Sequence, residues 1–251
     1  MTLSWPERLA RQVSLRIPLA RRGLALPRGV LSITFDDFPK TAWSVGGAVL
    51  AAHGAKGTYF ACGGLCGRSF DGQPICDVAE LEAVHAAGHE IGCHTHDHPT
   101  AHRLSPEAYE EACERNRRFL QDCLPGLRLR SHAYPYGHAP LRHRGRMAQR
   151  YAACRGVATQ RGRKLNGPEV DPSLLVAVGL TADRRGRDDI GQLIAEAAAR
   201  RGWLILFTHD VQDKPSAHGC TPGELDRAIR LAREAGLDIL PVGAVLPEGG
   251  A

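Results

Sequence analysis

Two runs of this chain, Val30–Phe35 (VLSITF) and Trp203–Thr208 (WLILFT), are apolar or β-branched almost throughout, and each ends at ionisable residues: Asp36 and Asp37 after the first, His209 after the second. A strand that is apolar on both faces must be covered on both, which points to a parallel sheet flanked by helices. Weaker runs of the same kind occupy Gly57–Phe60, His89–Cys93 and Asp238–Val242, and Ser131–Pro135 reads as extended. Helical segments lie between them. Val78–Ala87 has helical composition and is stopped by Gly88. Ser105-Pro106 opens a helix to about Cys123, because the serine hydroxyl can cap free amides and a proline in the first turn has none to lose. Thr221-Pro-Gly-Glu224 has capping-box spacing for a helix to about Gly236. Alternation of this kind predicts an α/β fold whose parallel sheet is open or closed into a barrel.

In such folds the carboxyl ends of all strands lie on one face, where sites are built. Asp36, Asp37, His94, Tyr136 and His209 each follow a predicted strand, so residues far apart in sequence can converge. His94-Thr-His-Asp-His98 places two imidazoles four residues apart, a spacing that on one side of a helical turn grips a single ion. Pro99 turns residue 98 away from α geometry. A carboxylate at a strand end would complete an Asp-His-His set with a coordination position left for water, and the adjacent carboxylate could act on that water. The plain alternatives are a surface histidine cluster and an aspartate pair capping a turn. Taken together, the residues favour one divalent ion held by His94, His98 and one carboxylate of the Asp36-Asp37 pair. Zinc comes first for such a set, with cobalt, nickel and manganese also suited to it.

Four segments occur in a telling order: Thr34-Phe35-Asp36-Asp37, then Gly88–Thr95 with His98, then Tyr134-Pro135-Tyr136-Gly137, and last Leu206-Phe207-Thr208-His209-Asp210. Through them the chain resembles the polysaccharide deacetylases, also called the NodB homology or carbohydrate esterase 4 family, over about Ile33 to Val242. The resemblance implies a distorted (β/α) barrel of about seven parallel strands. It also implies hydrolysis of an N-acetyl group on an amino sugar or glycan. Asp36 would then be the catalytic base and His209 the catalytic acid, Asp37, His94 and His98 the metal ligands, and Tyr136 the residue whose backbone amide helps hold the oxyanion. Thr95 would shape the ligand loop, and Phe207 would lie near the acyl methyl. Another amide hydrolysis on the same scaffold, such as deformylation of a lipid-linked sugar or opening of a cyclic amide, is the alternative. A metal-dependent sugar-binding module without turnover is the reading from another class.

Ala133 stands where the family carries an arginine that orients the catalytic base. Arg130 would point to the other face of an extended strand, so Arg155 or His132 could substitute, or Asp36 could be held in another way. Asp171 and Asp183 are equal candidates for the carboxylate that supports the catalytic histidine. His89, His96, His132 and His138 read first as hydrogen-bonded structural residues. Asp97 could steady a ligand imidazole. Trp43 and Trp203 could offer sugar-stacking surface but read first as core, Trp203 above all because it opens an apolar strand.

At 251 residues with 43% hydrophobic and 24% charged side chains, the chain can bury a full-sized core. Residues 1–29 read as an N-terminal extension and 30–245 as one catalytic domain. The formal charge of +5 comes with basic and acidic residues interleaved along the chain, which argues against a nucleic-acid partner. Arg8, Arg11, Arg16, Arg21, Arg22 and Arg28 read as a solvated face, with peripheral contact to an anionic membrane as the alternative. No apolar run could span a bilayer and no export signal is legible, so a cytoplasmic location is expected. The eight cysteines are expected to be reduced, and Cys62, Cys66, Cys76 and Cys93 lack the paired short spacings of a structural zinc site. Oligomeric state is not legible.

Overall fold

The structure, a computed structural model, describes residues 4–157, 164–182 and 189–247. Seven strands form the main sheet: β1 (Val30–Asp36), β2 (Thr58–Ala61), β3 (Glu90–Cys93), β4 (Ser131–Ala133), β5 (Ala153–Arg155), β6 (Val178–Gly179) and β7 (Trp203–Thr208). In space they run β6-β7-β1-β2-β3-β4-β5, and every neighbouring pair is parallel. A short β8 (Asp238–Ile239) adds to the lower half of β1. The two edge strands are joined through the segment before β6: the Cys154 amide donates to the Pro172 carbonyl and the Leu175 amide to the Cys154 carbonyl, each at 2.7 Å. The sheet therefore curls into a distorted barrel of seven parallel strands, as the resemblance implies.

Alternation along β1 decides what faces where. Leu31, Ile33 and Phe35 pack outward beneath helices, whereas Val30 joins Ala153, Trp203 and Ile205 inside the barrel. Ser32, Thr34 and Asp36 share the inner face with Val30, so Asp36 crowns the interior. The outer layer comprises α1 (Trp5–Ser14), α2 (Ala48–Ala52), α3 (Val78–Ala86), α4 (Pro106–Cys123), α5 (Leu141–Arg150), α6 (Ile190–Arg200) and α7 (Pro222–Glu234), whereas α8 (Val242–Val245) packs through Val242 on the interior cluster of Val30 and Trp203. The expected caps are present. Ser105 Oγ accepts the Ala108 amide at 3.2 Å, and Thr221 and Glu224 exchange hydrogen bonds at 3.2 and 3.0 Å.

α5 and β5 carry no periodic apolar signal, and the physical reason is visible. The buried face of α5 is His143, Arg144 and Met147, so burial there is mostly polar. Arg144 is 1% exposed and is satisfied by the Ser14 and Ile17 carbonyls, by the Ser173 hydroxyl and by Asp171 at 2.5 Å. Trp203 is buried core, its indole N–H donating to Ser32 Oγ at 2.9 Å. All eight cysteines are free thiols, and Cys62, Cys66, Cys76 and Cys93 form no joint donor group. No helix among the described residues is long and apolar enough to cross a membrane.

Candidate active site

Asp37, His94 and His98 are buried and come together at the carboxyl ends of β1 and β3, their ligand atoms all within 4.8 Å of one another. Asp37 Oδ1 lies 3.2 Å from His98 Nε2 and 3.5 Å from His94 Nε2. The expected helical turn between the two histidines is absent: residues 94–99 form an irregular bend, with Thr95 at φ 64° and His98 at φ 51°. The Thr95 hydroxyl donates to the His94 carbonyl and helps to hold that bend. Among the described residues, four of the seven non-glycine residues with positive φ, namely Asp37, Thr95, His98 and Tyr136, belong to the motif segments, and a fifth, Phe38, directly follows the first of them. Backbone strain of this kind persists only where the surroundings hold it, and here it turns side chains from neighbouring positions toward one point.

The donor set fits a divalent ion. His94 Nδ1 meets the Ala133 carbonyl at 2.8 Å, which directs the lone pair of Nε2 at Asp37. Asp37 Oδ1 is buried without a hydrogen-bond partner. Burial pushes the His94 and His98 imidazoles down to about 4 and about 2, so both are neutral donors at physiological pH. Burial, followed by the charge of Asp36, pushes the Asp37 carboxyl up to about 8. A carboxyl raised in the fold stabilises it below the unfolded value and loses that contribution as pH climbs to the folded one. Above about pH 7.5 the buried histidines are neutral in both states, so within this trio only Asp37 still titrates. Metal-stripped protein is accordingly expected to lose more stability between about pH 7.5 and 8.5 than metal-loaded protein does. Denaturant melts at the two pH values, with and without metal, check this.

Asp36 lies beside this trio, 6% exposed, in an ion pair with Arg155. Burial alone would raise its carboxyl, but Arg155, His94 and His209 hold it below the usual range. Arg155 is the register partner of Ala133 on the adjacent strand. The arginine has therefore moved one strand sideways at the same height in the barrel. His132, the other candidate substitute, faces the outer layer, where its Nε2 meets the Tyr109 hydroxyl at 3.0 Å. The Arg155 guanidinium lies 5.0 Å from the Phe60 ring and 5.3 Å from that of Phe207, so Phe207 lines the site between Arg155 and His209.

His209 follows β7 half-buried, with Nε2 3.7 Å from Asp37 Oδ2 and Nδ1 3.3 Å from the His218 carbonyl. Burial lowers its imidazole. Asp171 is engaged by Arg144, the Leu19 amide and Ser173, and Asp183 lies outside the described residues. The partner found for His209 is thus a carbonyl, in a loop held by Asp210, which accepts from Ser216 N at 2.9 Å and from Gln212 at 2.8 Å. Asp97 pairs with His96 and Arg115 and touches neither ligand imidazole. His89 accepts the Gly57 amide at 3.0 Å and packs on Trp43, while His138 meets Thr100 at 3.2 Å. Tyr136 sits on the rim, its ring centroid 4.6 Å from that of His98. A hairpin of Ser69–Phe70 and Gln73–Pro74 closes the other side, with Phe70 5.2 Å from His98. Asp71-Gly72 at its tip, both at positive φ, is the Asp-Gly pair that such tight turns favour.

A family model described as polysaccharide deacetylase matches residues 24–152. No curated protein matches the chain in sequence. Among solved structures, the chitin deacetylase of the fungal pathogen Colletotrichum lindemuthianum aligns with TM-score 0.60 and 16% identity, over 90% of this chain and 91% of that one. A peptidoglycan N-acetylglucosamine deacetylase aligns with TM-score 0.58 and 17% identity, over 88% and 90%. A CE4 family pseudoenzyme from Bacillus anthracis aligns with TM-score 0.58 and 14% identity, over 89% and 67%. At these identities the likeness is one of fold.

Proposed function

Because the chain belongs to the polysaccharide deacetylase family, we propose that it is a metal-dependent hydrolase that removes the N-acetyl group from an amino sugar or glycan. The observation that carries this reading is the buried Asp37, His94 and His98 trio with a charged, arginine-held Asp36 beside it. Asp37, His94 and His98 would hold the ion, zinc first among those the donors suit. A divalent ion there supplies Lewis acidity to the acyl carbonyl and acidifies water. Asp36 takes the proton from water as its oxygen bonds to the acyl carbon. The Tyr136 amide, on the rim next to His98, would donate to the oxyanion. The carbon–nitrogen bond then breaks as His209 gives a proton to the leaving nitrogen, and acetate and a free amine result.

The two groups must hold opposite protonation states, Asp36 charged and His209 protonated, so kcat/KM should be bell-shaped in pH with apparent values belonging to the pair. Stripping metal with a chelator is expected to reduce acetate release from N-acetylated oligosaccharides to background, with recovery on adding zinc or cobalt. Full activity in metal-free protein would overturn the reading. N-formylated and cyclic-amide substrates in the same assay separate the other amide hydrolyses. Ala133 favours a module without turnover, whereas the pairing of Arg155 with Asp36 supports catalysis. A cytoplasmic location stays part of the proposal, and cell fractionation tests it.

A further inference from the structure

Helix α1 is built inside out. The positions it turns toward the protein are Glu7, Arg11 and Ser14, all polar, whereas Trp5, Leu9 and Val13 face solvent at 70, 51 and 42% exposure. The segment that follows adds Ile17 at 41% and Leu19 at 43%. A helix on a water-soluble surface shows the reverse arrangement. These five account for most of the large hydrophobics exposed among the described residues, so outward apolar surface is concentrated here. The polar side is nevertheless firmly docked. Ser14 Oγ donates to the Ala139 carbonyl at 2.5 Å, Arg144 donates to the Ser14 and Ile17 carbonyls, and Ser4 with Glu7 forms a capping box.

Charge follows the same stretch. Residues 1–28 contain six arginines and one acidic residue, Glu7, a net of +5, which equals the formal net charge of the whole chain. Arg8 and Arg16 are exposed beside the apolar stripe, and Arg21, also exposed, faces Glu169 at 3.6 Å. The patch also adjoins the active-site rim. α1 lines a shallow groove with His102, Pro140 and Leu141. The His102 ring lies edge-on to His138 with centroids 5.4 Å apart, His138 lies 5.9 Å from Tyr136, and Tyr136 lies 4.6 Å from His98.

We propose that residues 5–21 are an in-plane anchor that docks on an anionic phospholipid bilayer, with Trp5, Leu9, Val13, Ile17 and Leu19 among the acyl chains and the exposed arginines on headgroup phosphates. Tryptophan and leucine on one side with arginines at the flanks is the composition of an interfacial helix. A second copy is the poorer occupant, because an isologous contact would set two such arginine clusters against each other. Docking turns the Tyr136 rim toward the bilayer and so selects glycans carried on a lipid. The choice of glycan rests on the deacetylase reading, and the docking does not.

The test is co-sedimentation of the full chain with vesicles of phosphatidylcholine alone and of phosphatidylcholine mixed with phosphatidylglycerol. Binding is expected on the anionic vesicles and to weaken with added salt. The double substitution Leu9→Glu with Val13→Glu should weaken it by at least about tenfold. Melting temperature and acetate release from a soluble oligosaccharide should be unchanged, because both side chains face solvent. Protein left in the supernatant with both vesicle types would overturn the proposal. So would a dimer in light scattering that the double substitution splits while vesicles bind neither form. Binding is read without turnover, so its failure is distinct from failure of the deacetylase reading.

Discussion

Asp36→Asn is expected to lower kcat about 10²- to 10⁴-fold, the range that a positioned general base supplies, while bound metal stays at wild-type level. The two carboxylates occupy one pocket but have different partners. Asp37 faces both imidazoles, whereas Asp36 faces Arg155, so substitution at position 36 leaves the ion's donors in place. An asparagine oxygen can still accept from Arg155, which spares the protein an unpaired buried guanidinium. Metal analysis beside steady-state kinetics on the purified variant checks both halves. Loss of metal together with activity would mean that Asp36 itself is a ligand, and unchanged turnover would remove it from the chemistry.

A larger effect on stability should come from Arg155→Met. Taking one partner from a buried ion pair leaves the other charge uncompensated, typically at about 3–5 kcal/mol. Both side chains of the pair are almost fully buried, so solvent screening offers little relief. Asp36 can escape that penalty by taking up a proton. Burial already raises its carboxyl and Arg155 is the leading influence that lowers it, so removal of the guanidinium shifts the acidic limb of kcat/KM to higher pH. Ala133 and Arg155 are register partners on adjacent parallel strands, and both side chains point into the barrel. Returning the cation to the neighbouring strand, as Ala133→Arg with Arg155→Ala, should therefore restore part of the stability and move the limb back. Thermal melts and pH profiles of the three proteins read this out. An acidic limb unmoved by Arg155→Met would show that the arginine only braces the wall.

Both substitutions probe a site whose chemical groups are plain in the chain but whose geometry is not. Asp36, Asp37, His94, Tyr136 and His209 stand out because apolar strands end at them, and strand ends in a parallel sheet share one face. Four-residue spacing from His94 to His98 suggests a helical turn, since spacing is all that a sequence displays. In the fold, positive φ at Thr95 and His98 brings the rings together without a helix. Asp97, adjacent to a ligand in sequence, turns outward to His96 and Arg115. α5 escaped notice because an arginine satisfied by carbonyls occupies the place where an apolar residue would have signalled burial.

Linear order and local composition were thus enough to establish the α/β alternation, the capped helices, the strand-end cluster of aspartates and histidines, and the arginine excess near the start. Only the folded chain could assign Arg155 rather than His132 to Asp36, give the His209 ring a carbonyl partner, and turn the apolar stripe of α1 outward. Each of these depends on which strand or helix lies alongside which, and on which side of it faces in. Contacts across a sheet or between layers are made by residues whose separation along the chain sets neither their register nor their facing.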